Sequence, residues 1–306
     1  MINIMRARRI PLSTECAVCI TKTIGKVVPM LTDTWERQSE LYSKAFRALS
    51  DGYANDLDVP STIIPLMMEL YSAAGANDPF NIIKQKSINA AMKDLPLIEQ
   101  SINRFSDFEK FRTSLSAAIA GNIIDYAHAG DDPDLESLEC VFKSVQREGF
   151  AIDNSKELWH RLKSSSGKVV ILGDNAGETV FDIPFVRLIK ELEWSVIFVV
   201  KGLPSMNDAT KNDVIGTGIE QLAMISTTGA RAYGTPKRFV SEQFLDLVAD
   251  CDLIISKGQG NLETFPEIQE EFEKETYYVL RVKCSHVASI LGCKKNNNVV
   301  LRQKNM

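Results

Sequence analysis

Apolar residues recur at spacings of three and four through the first half of the chain, the pattern of helices that bury one face. Trp35, Leu41, Ala45, Phe46 and Leu49 lie along one stripe after Asp33 and Thr34, and Asp51-Gly52 reads as its end. The same spacing predicts helices over 61–74, 81–105 with an interruption at Pro96, 107–129, 134–147 and 154–162, punctuated by Gly130-Asp131-Asp132-Pro133. From Lys168 the period changes. Short β-branched runs (KVVILGD, SVIFVVKG, AMISTTG, DLIISKG, YYVLRVK) alternate with helical segments over 178–192, 207–222 and 241–248. That alternation is the signature of a parallel sheet with crossover helices. The expected fold is α/β, with a helical N-terminal domain over 1–163 and an α/β metal-binding domain over 164–306. Ser164-Ser165-Ser166-Gly167 is the most linker-like stretch between them.

In a doubly wound sheet ligands bind beyond the carboxyl ends of the strands, so the residues just past each strand matter most. Three exits are chemically loaded: GDNAGE (173–178), KGLPSMNDAT (201–210) and SKGQGNLE (256–263). Asp174, Asn175 and Asp208 offer the oxygen ligands that hard or borderline divalent ions prefer, and are few enough to leave positions for water and substrate. Asp and Asn are also favoured helix caps, which explains each of them singly. An Asp-Asn pair and an Asn-Asp pair at neighbouring exits point instead to a metal. Gly173 and Gly177 let the backbone turn and approach a ligand, and the N-terminus of the next helix suits a phosphate. Lys257, before Gly258 and Gly260, is placed to neutralise a phosphoryl oxygen. Glu178 and, one turn later, Asp182 rank second, because the helix dipole accounts equally well for an acidic first turn.

Thirty-five basic against forty acidic residues give a formal net charge of −5 in a chain of 306 residues, without the basic excess that nucleic-acid binding needs. No apolar run approaches the roughly 18 residues of a membrane span. Arg6, Arg8 and Arg9 are succeeded by Pro11, Ser13, Thr14 and Glu15 where a signal peptide needs its apolar region, so the expected location is cytoplasmic. His128, His160 and His286 lack ligand spacing, and no nucleophile elbow, Walker loop or Gly-x-Gly-x-x-Gly is present. Six cysteines do not make a disulfide scaffold in a chain this long, and Cys140 and Cys251 read as small buried hydrophobes.

GDNAGE, KGLPSMNDAT and SKGQGNLE, in this order and approximate spacing, resemble the motifs of the metal-dependent damage-control phosphatases. GANDPFNIIKQKSINAAM (75–92) and AAIAGNIIDYA (117–127) are similar to segments that precede the α/β part of that family, so the resemblance spans about residues 15 to 290. It implies a helical portion packed on a Rossmann-like three-layer α/β/α domain, a divalent ion (Mn, Co, Ni or Mg) on Asp174, Asn175 and Asp208, and hydrolysis of phosphate monoesters. The substrates it implies are small damaged or surplus phosphometabolites, such as sugar phosphates or phosphopantetheine derivatives. Lys257 matches the family's phosphate-facing lysine, Asn122 a position reaching toward the same cleft, and Gly177, Glu178 and Gly258 join them as substrate-binding candidates. Asp174 or Asp208 is the expected general base. Cys16 and Cys19, with Lys283-Cys284, resemble the CxxC and KC elements of the family's stand-alone branch, which implies a second metal site or a redox site. Three thiols fall short of a closed four-ligand zinc cage, and Cys293 would have to fold back to complete one.

The residues also support two rival expectations. A Rossmann-like methyltransferase or nucleotide-binding protein is prompted by the glycines of the first exit but lacks the third glycine, and the acidic-amide cluster repels phosphate unless a cation intervenes. A non-catalytic metal or thiol sensor would rest on Cys16, Cys19 and Cys284 and be indifferent to loss of Asp208.

Overall fold

The computed structural model describes residues 10–122 and 138–303. The N-terminal arginines, His128, the turn read at 130–133 and the adjoining ends of two expected helices lie outside them. Three helices come first: α1 (Thr14–Leu31), α2 (Trp35–Ala54) and α3 (Val59–Ala74). α1 puts Cys16 and Cys19 three residues apart, hence on one face. α2 buries Leu41, Ala45 and Leu49 as its stripe predicts, whereas Trp35 and Phe46 at the stripe's margin stay exposed. Asp51-Gly52 does not end it. A Cβ at Gly52 would sit 2.7 Å from Thr62 of α3, so the glycine permits close helix packing rather than a stop.

α4 (Asn81–Ile102), α5 (Asp107–Gly121), α6 (Leu138–Glu148) and α7 (Ser155–Lys163) come next. α4 runs through Pro96 without a break, because burial of Ala91, Leu95 and Ile98 on either side holds its inner face against the core. Cys140, expected in the core, is exposed on α6, while Cys251 is buried.

The sheet has seven strands: β1 (Ile152–Asp153), β2 (Lys168–Leu172), β3 (Ser195–Val200), β4 (Met224–Thr227), β5 (Leu253–Lys257), β6 (Thr276–Arg281) and β7 (Asn298–Gln303), in the order β1-β7-β6-β5-β2-β3-β4. Strands β2 to β6 are mutually parallel, and β7 turns back antiparallel to β6. The segment β4-β3-β2-β5-β6 is the strand order of a doubly wound sheet, and the order reverses between β2 and β5. Alternate residues face opposite layers. Val169 and Ile171 of β2 join the core made with α4 to α8 (α8 is Glu178–Glu191), while Val170 and Leu172 join that of α10 (Glu242–Ala249), α11 (Gln259–Thr264), α12 (Pro266–Glu271) and α13 (Ser285–Leu291). α1 to α3 close on a core of their own. α7 and β2, on either side of Ser164-Ser165-Ser166-Gly167, both contribute to the first of these cores.

The helix expected over 207–222 does not form. Only α9 (Lys211–Val214) and a single 3-10 turn (Ile219–Gln221) are helical, because Thr210 opens α9 with a capping box and Gly216 and Gly218, with φ of 87° and 99°, close it. Asn207 thereby closes a turn and Asp208 pairs with Asn175 in a short bridge beside the first strand exit.

Candidate active site at the switch point

The exits of β2 and β3 are tied together by backbone. Ala209 N–H donates to Asp174 C=O and Ala176 N–H to Asn207 C=O, each at 2.9 Å, so that Asn175 and Asp208 pair as a short antiparallel bridge. Asn207 Nδ2 donates to Asn175 Oδ1 at 2.9 Å, leaving that oxygen a second lone pair. From the other side of the switch point Gly258, at φ 81°, passes so close that a Cβ would lie 1.9 Å from Asp174 Oδ2. No side chain fits there, and the glycine cradles the carboxylate.

Asn122, at the end of α5 and fully buried, donates through Nδ2 to Asp174 Oδ2 at 2.7 Å and to Glu178 Oε2 at 2.9 Å. One amide therefore fixes both carboxylates. α5 comes close enough to do so because Gly121 faces Glu178, where a Cβ would approach within 3.0 Å. Lys257, wholly buried, donates to Glu178 Oε1 at 2.6 Å, Asp182 Oδ1 at 2.5 Å and Ala118 C=O at 3.2 Å. All three ammonium protons are thus spoken for by protein acceptors. The structure places Lys257 behind the carboxylates and not on the cavity wall. Gly177 likewise lies off the cavity, against Ser87.

Sequence reasoning passed over Lys201 and Asn261. Lys201 Nζ reaches Gly173 C=O at 3.3 Å, Asn261 Oδ1 at 3.4 Å and Asp208 Oδ2 at 4.0 Å. Asn261 Nδ2 bridges Lys257 C=O and Gly173 C=O, stitching the β2 and β5 exits. Both residues stood inside quoted motifs, but a lysine or asparagine beyond a strand carries no spacing signal of its own.

Four buried carboxylates, Asp174, Glu178, Asp182 and Asp208, face two buried ammonium groups, Lys201 and Lys257. The balance is negative. Burial pushes the Asp182 carboxyl up to about 7, Lys257 opposing it, and Glu178 and Asp174 add to the rise. Burial alone would lower the Lys257 ammonium, but Asp182 and Glu178 hold it above its ordinary value. Charge surplus and donor chemistry together fit a divalent, oxygen-preferring cation on Asp174, Asn175 and Asp208.

These three residues form one end of a cavity of about 180 Å³. Its other walls carry Cys16, Cys19 and Cys284, with Glu263, Gln259 and Tyr233. Burial raises the Cys284 thiol and lifts the Glu263 carboxyl to about 7, against hydrogen bonds from Gln259 and Tyr233. Among the described residues no group of three or more His, Cys, Asp and Glu side chains is gathered to hold a metal. The thiols therefore share a wall without forming a ligand cage, and the acidic end gathers two carboxylates and an amide.

A doubly wound sheet with buried carboxylates and amides at its switch point, opening on a small cavity, defines an α/β protein whose candidate ligand site lies at its strand exits. The chain belongs to the damage-control phosphatases: the model of the damage-control phosphatase ARMT1-like domain matches residues 12–299. It is 32% identical over 291 residues to an uncharacterised protein of Methanocaldococcus jannaschii, covering 94% of each chain. It is also 32% identical over 292 residues to a damage-control phosphatase of Pyrococcus horikoshii, covering 95% of this chain and 97% of that one. The crystal structure of a DUF89 family protein from P. horikoshii superimposes with a TM-score of 0.82 at 30% identity, over 96% of this chain and 99% of that one. A shorter match, 26% over 144 residues, covers 44% of this chain and 18% of a mouse 4'-phosphopantetheine phosphatase. No helix among the described residues is long and apolar enough to cross a membrane.

Proposed function

We propose that the protein is a metal-dependent phosphomonoester hydrolase acting on small phosphorylated metabolites. The observation that carries this reading is the surplus of buried carboxylate at the Asp174–Asn175–Asp208 end of the cavity, in a chain that belongs to a phosphatase family. An acidic pocket repels a phosphate dianion unless a cation lies between them. Asp174, Asn175 and Asp208 would hold that ion, which when bound supplies positive charge to the phosphoryl oxygens and lowers the pKa of water. Mn, Co, Ni and Mg are the candidate ions.

The chain's own residues do the rest. Asn122 and Gly258 fix Asp174, and the Asn175–Asp208 bridge fixes the spacing of the two exits. Asp208, on the cavity and hydrogen-bonded through its backbone to Ser205, is placed to accept the proton of an attacking water. Lys257 acts indirectly: it holds Glu178 and Asp182 in place behind the site. Sugar phosphates and phosphopantetheine derivatives are the substrate groups to try, the latter supported by the partial match to the mouse enzyme.

The test is release of phosphate from a generic phosphomonoester by metal-stripped protein re-supplied with each ion in turn, beside the Asp208→Ala variant. Ion-dependent release that the variant lacks is the expected result. Activity that survives both stripping and substitution would overturn the metal assignment.

A further inference from the structure

The cavity has two unlike ends. Beyond Asp174, Asn175 and Asp208 the lining interleaves apolar side chains, Ile20 of α1, Val59 and Ile63 of α3, Met206 and Val287, with the three thiols and with polar groups that include Glu263, Tyr233 and Lys283. The polar residues that reach this far end are largely turned to one another. The Thr23 hydroxyl donates to Cys19 C=O at 3.1 Å. The Gln259 amide is engaged at both its atoms, Nε2 donating to Glu263 at 2.9 Å and Oε1 accepting from Lys283 N–H at 2.9 Å. Glu15 accepts the Ser285 N–H at 2.9 Å. At this far end, among the described residues, His286 Nε2 is the one buried side-chain atom of the lining that has no hydrogen-bond partner.

A polyhydroxylated ligand brings a donor or acceptor on every carbon, and each must find a partner when water is removed. On this wall the hydroxyl and amide donors of Thr23, Tyr233 and Gln259 are already committed to protein acceptors. We infer that the protein prefers phosphate monoesters whose organic part is chiefly apolar, an alkyl-like chain lying along α1 and α3, over sugar phosphates of the same size. The inference rests on the hydrolase reading for the phosphate end, but the apolar end stands on its own lining.

Two readouts separate the inference from that reading. Hexyl phosphate and glucose 6-phosphate have six carbons each and differ in hydroxylation; kcat/KM for the first should exceed that for the second by about tenfold or more. Calorimetric binding of hexylphosphonate, which cannot be hydrolysed, should be correspondingly tighter than that of a glucose phosphonate in the same metal-loaded protein. Val59→Thr, which keeps side-chain shape, should erode the preference in both assays, and Ile63→Asn should erode it further. Equal or better handling of the sugar compounds in both assays overturns the inference, whatever the absolute rate. If neither ester is hydrolysed with any ion while hexylphosphonate still binds selectively, the hydrolase reading fails and the apolar preference stands.

Discussion

At the scale of single residues the site is governed by backbone room. Gly258 lies where any β-carbon would overlap Asp174 Oδ2, and its positive φ adds a conformational penalty for other residues. Gly258→Ala should therefore displace Asp174 and weaken metal affinity by about 10- to 100-fold, the range for disturbed ligand support, measured by titrating the ion into stripped protein. Lys257 presents the opposite case, a charge whose removal strands others. Lys257→Met leaves Glu178 and Asp182 buried without their counter-ion and should cost about 3–5 kcal/mol in urea denaturation. A loss of turnover at unchanged stability would instead return Lys257 to the phosphate.

Glu263 adds a pH dependence. Its carboxyl is raised by burial from the ordinary 4.5 to about 7, so the folded state binds the proton more tightly than the unfolded chain. The corresponding stability is fully present below pH 4.5 and is lost as the pH rises through about 7. Glu263→Gln should flatten that part of the stability profile, a change readable as a smaller fall in Tm between about pH 5 and 7.5.

At the scale of elements, the β3 exit is held from outside the sheet. Tyr71 of α3 accepts the Met206 N–H at 3.0 Å on its hydroxyl, and Arg231 lies over the Tyr71 ring while donating to Pro204 C=O at 3.0 Å. Met206 itself has φ 49°, a left-handed residue directly before Asn207 and Asp208. Tyr71→Phe removes the acceptor and should cost about 1 kcal/mol of stability and several-fold in kcat, with KM for the phosphate ester little changed. The elements also mark where the chain's pattern was legible. The five parallel strands and the loaded exits of three of them stood out because β-branched runs end in Gly, Asp and Asn. β7 did not, since a short strand written NVVLRQ after Lys294-Lys295-Asn296 alternates too briefly to separate from a loop. The helix expected over 207–222 failed because its apolar spacing persisted while Gly216 and Gly218 overrode it. Asn122 was found only by resemblance, for no local period distinguishes a buried amide at a helix end. The closure of Lys257 by three acceptors depends on α5 and α8 meeting, which no linear pattern encodes.

For the whole molecule, the division of cores sets the order of opening. α1 to α3 share their own apolar cluster, whereas the sheet is packed on both faces. Native-state hydrogen exchange should show α1 to α3 opening at lower free energy than β2 and β5, whose strands lie centrally in the sheet. Uniform protection across both would show that the two cores unfold as one.

The backbone bridge between Asn175 and Asp208 has a further consequence. Two acidic exits are stapled at fixed separation before anything binds, so mutual repulsion is built into the resting protein and does not relax by splaying apart. A dication bound there, as the proposed function requires, would release a latent stability: saturation at 100 times its dissociation constant corresponds to about 2.7 kcal/mol. Thermal unfolding followed across an ion series would then rank the ions by affinity without any substrate, and the shape of the folded chain would stay the same from the first ion to the last.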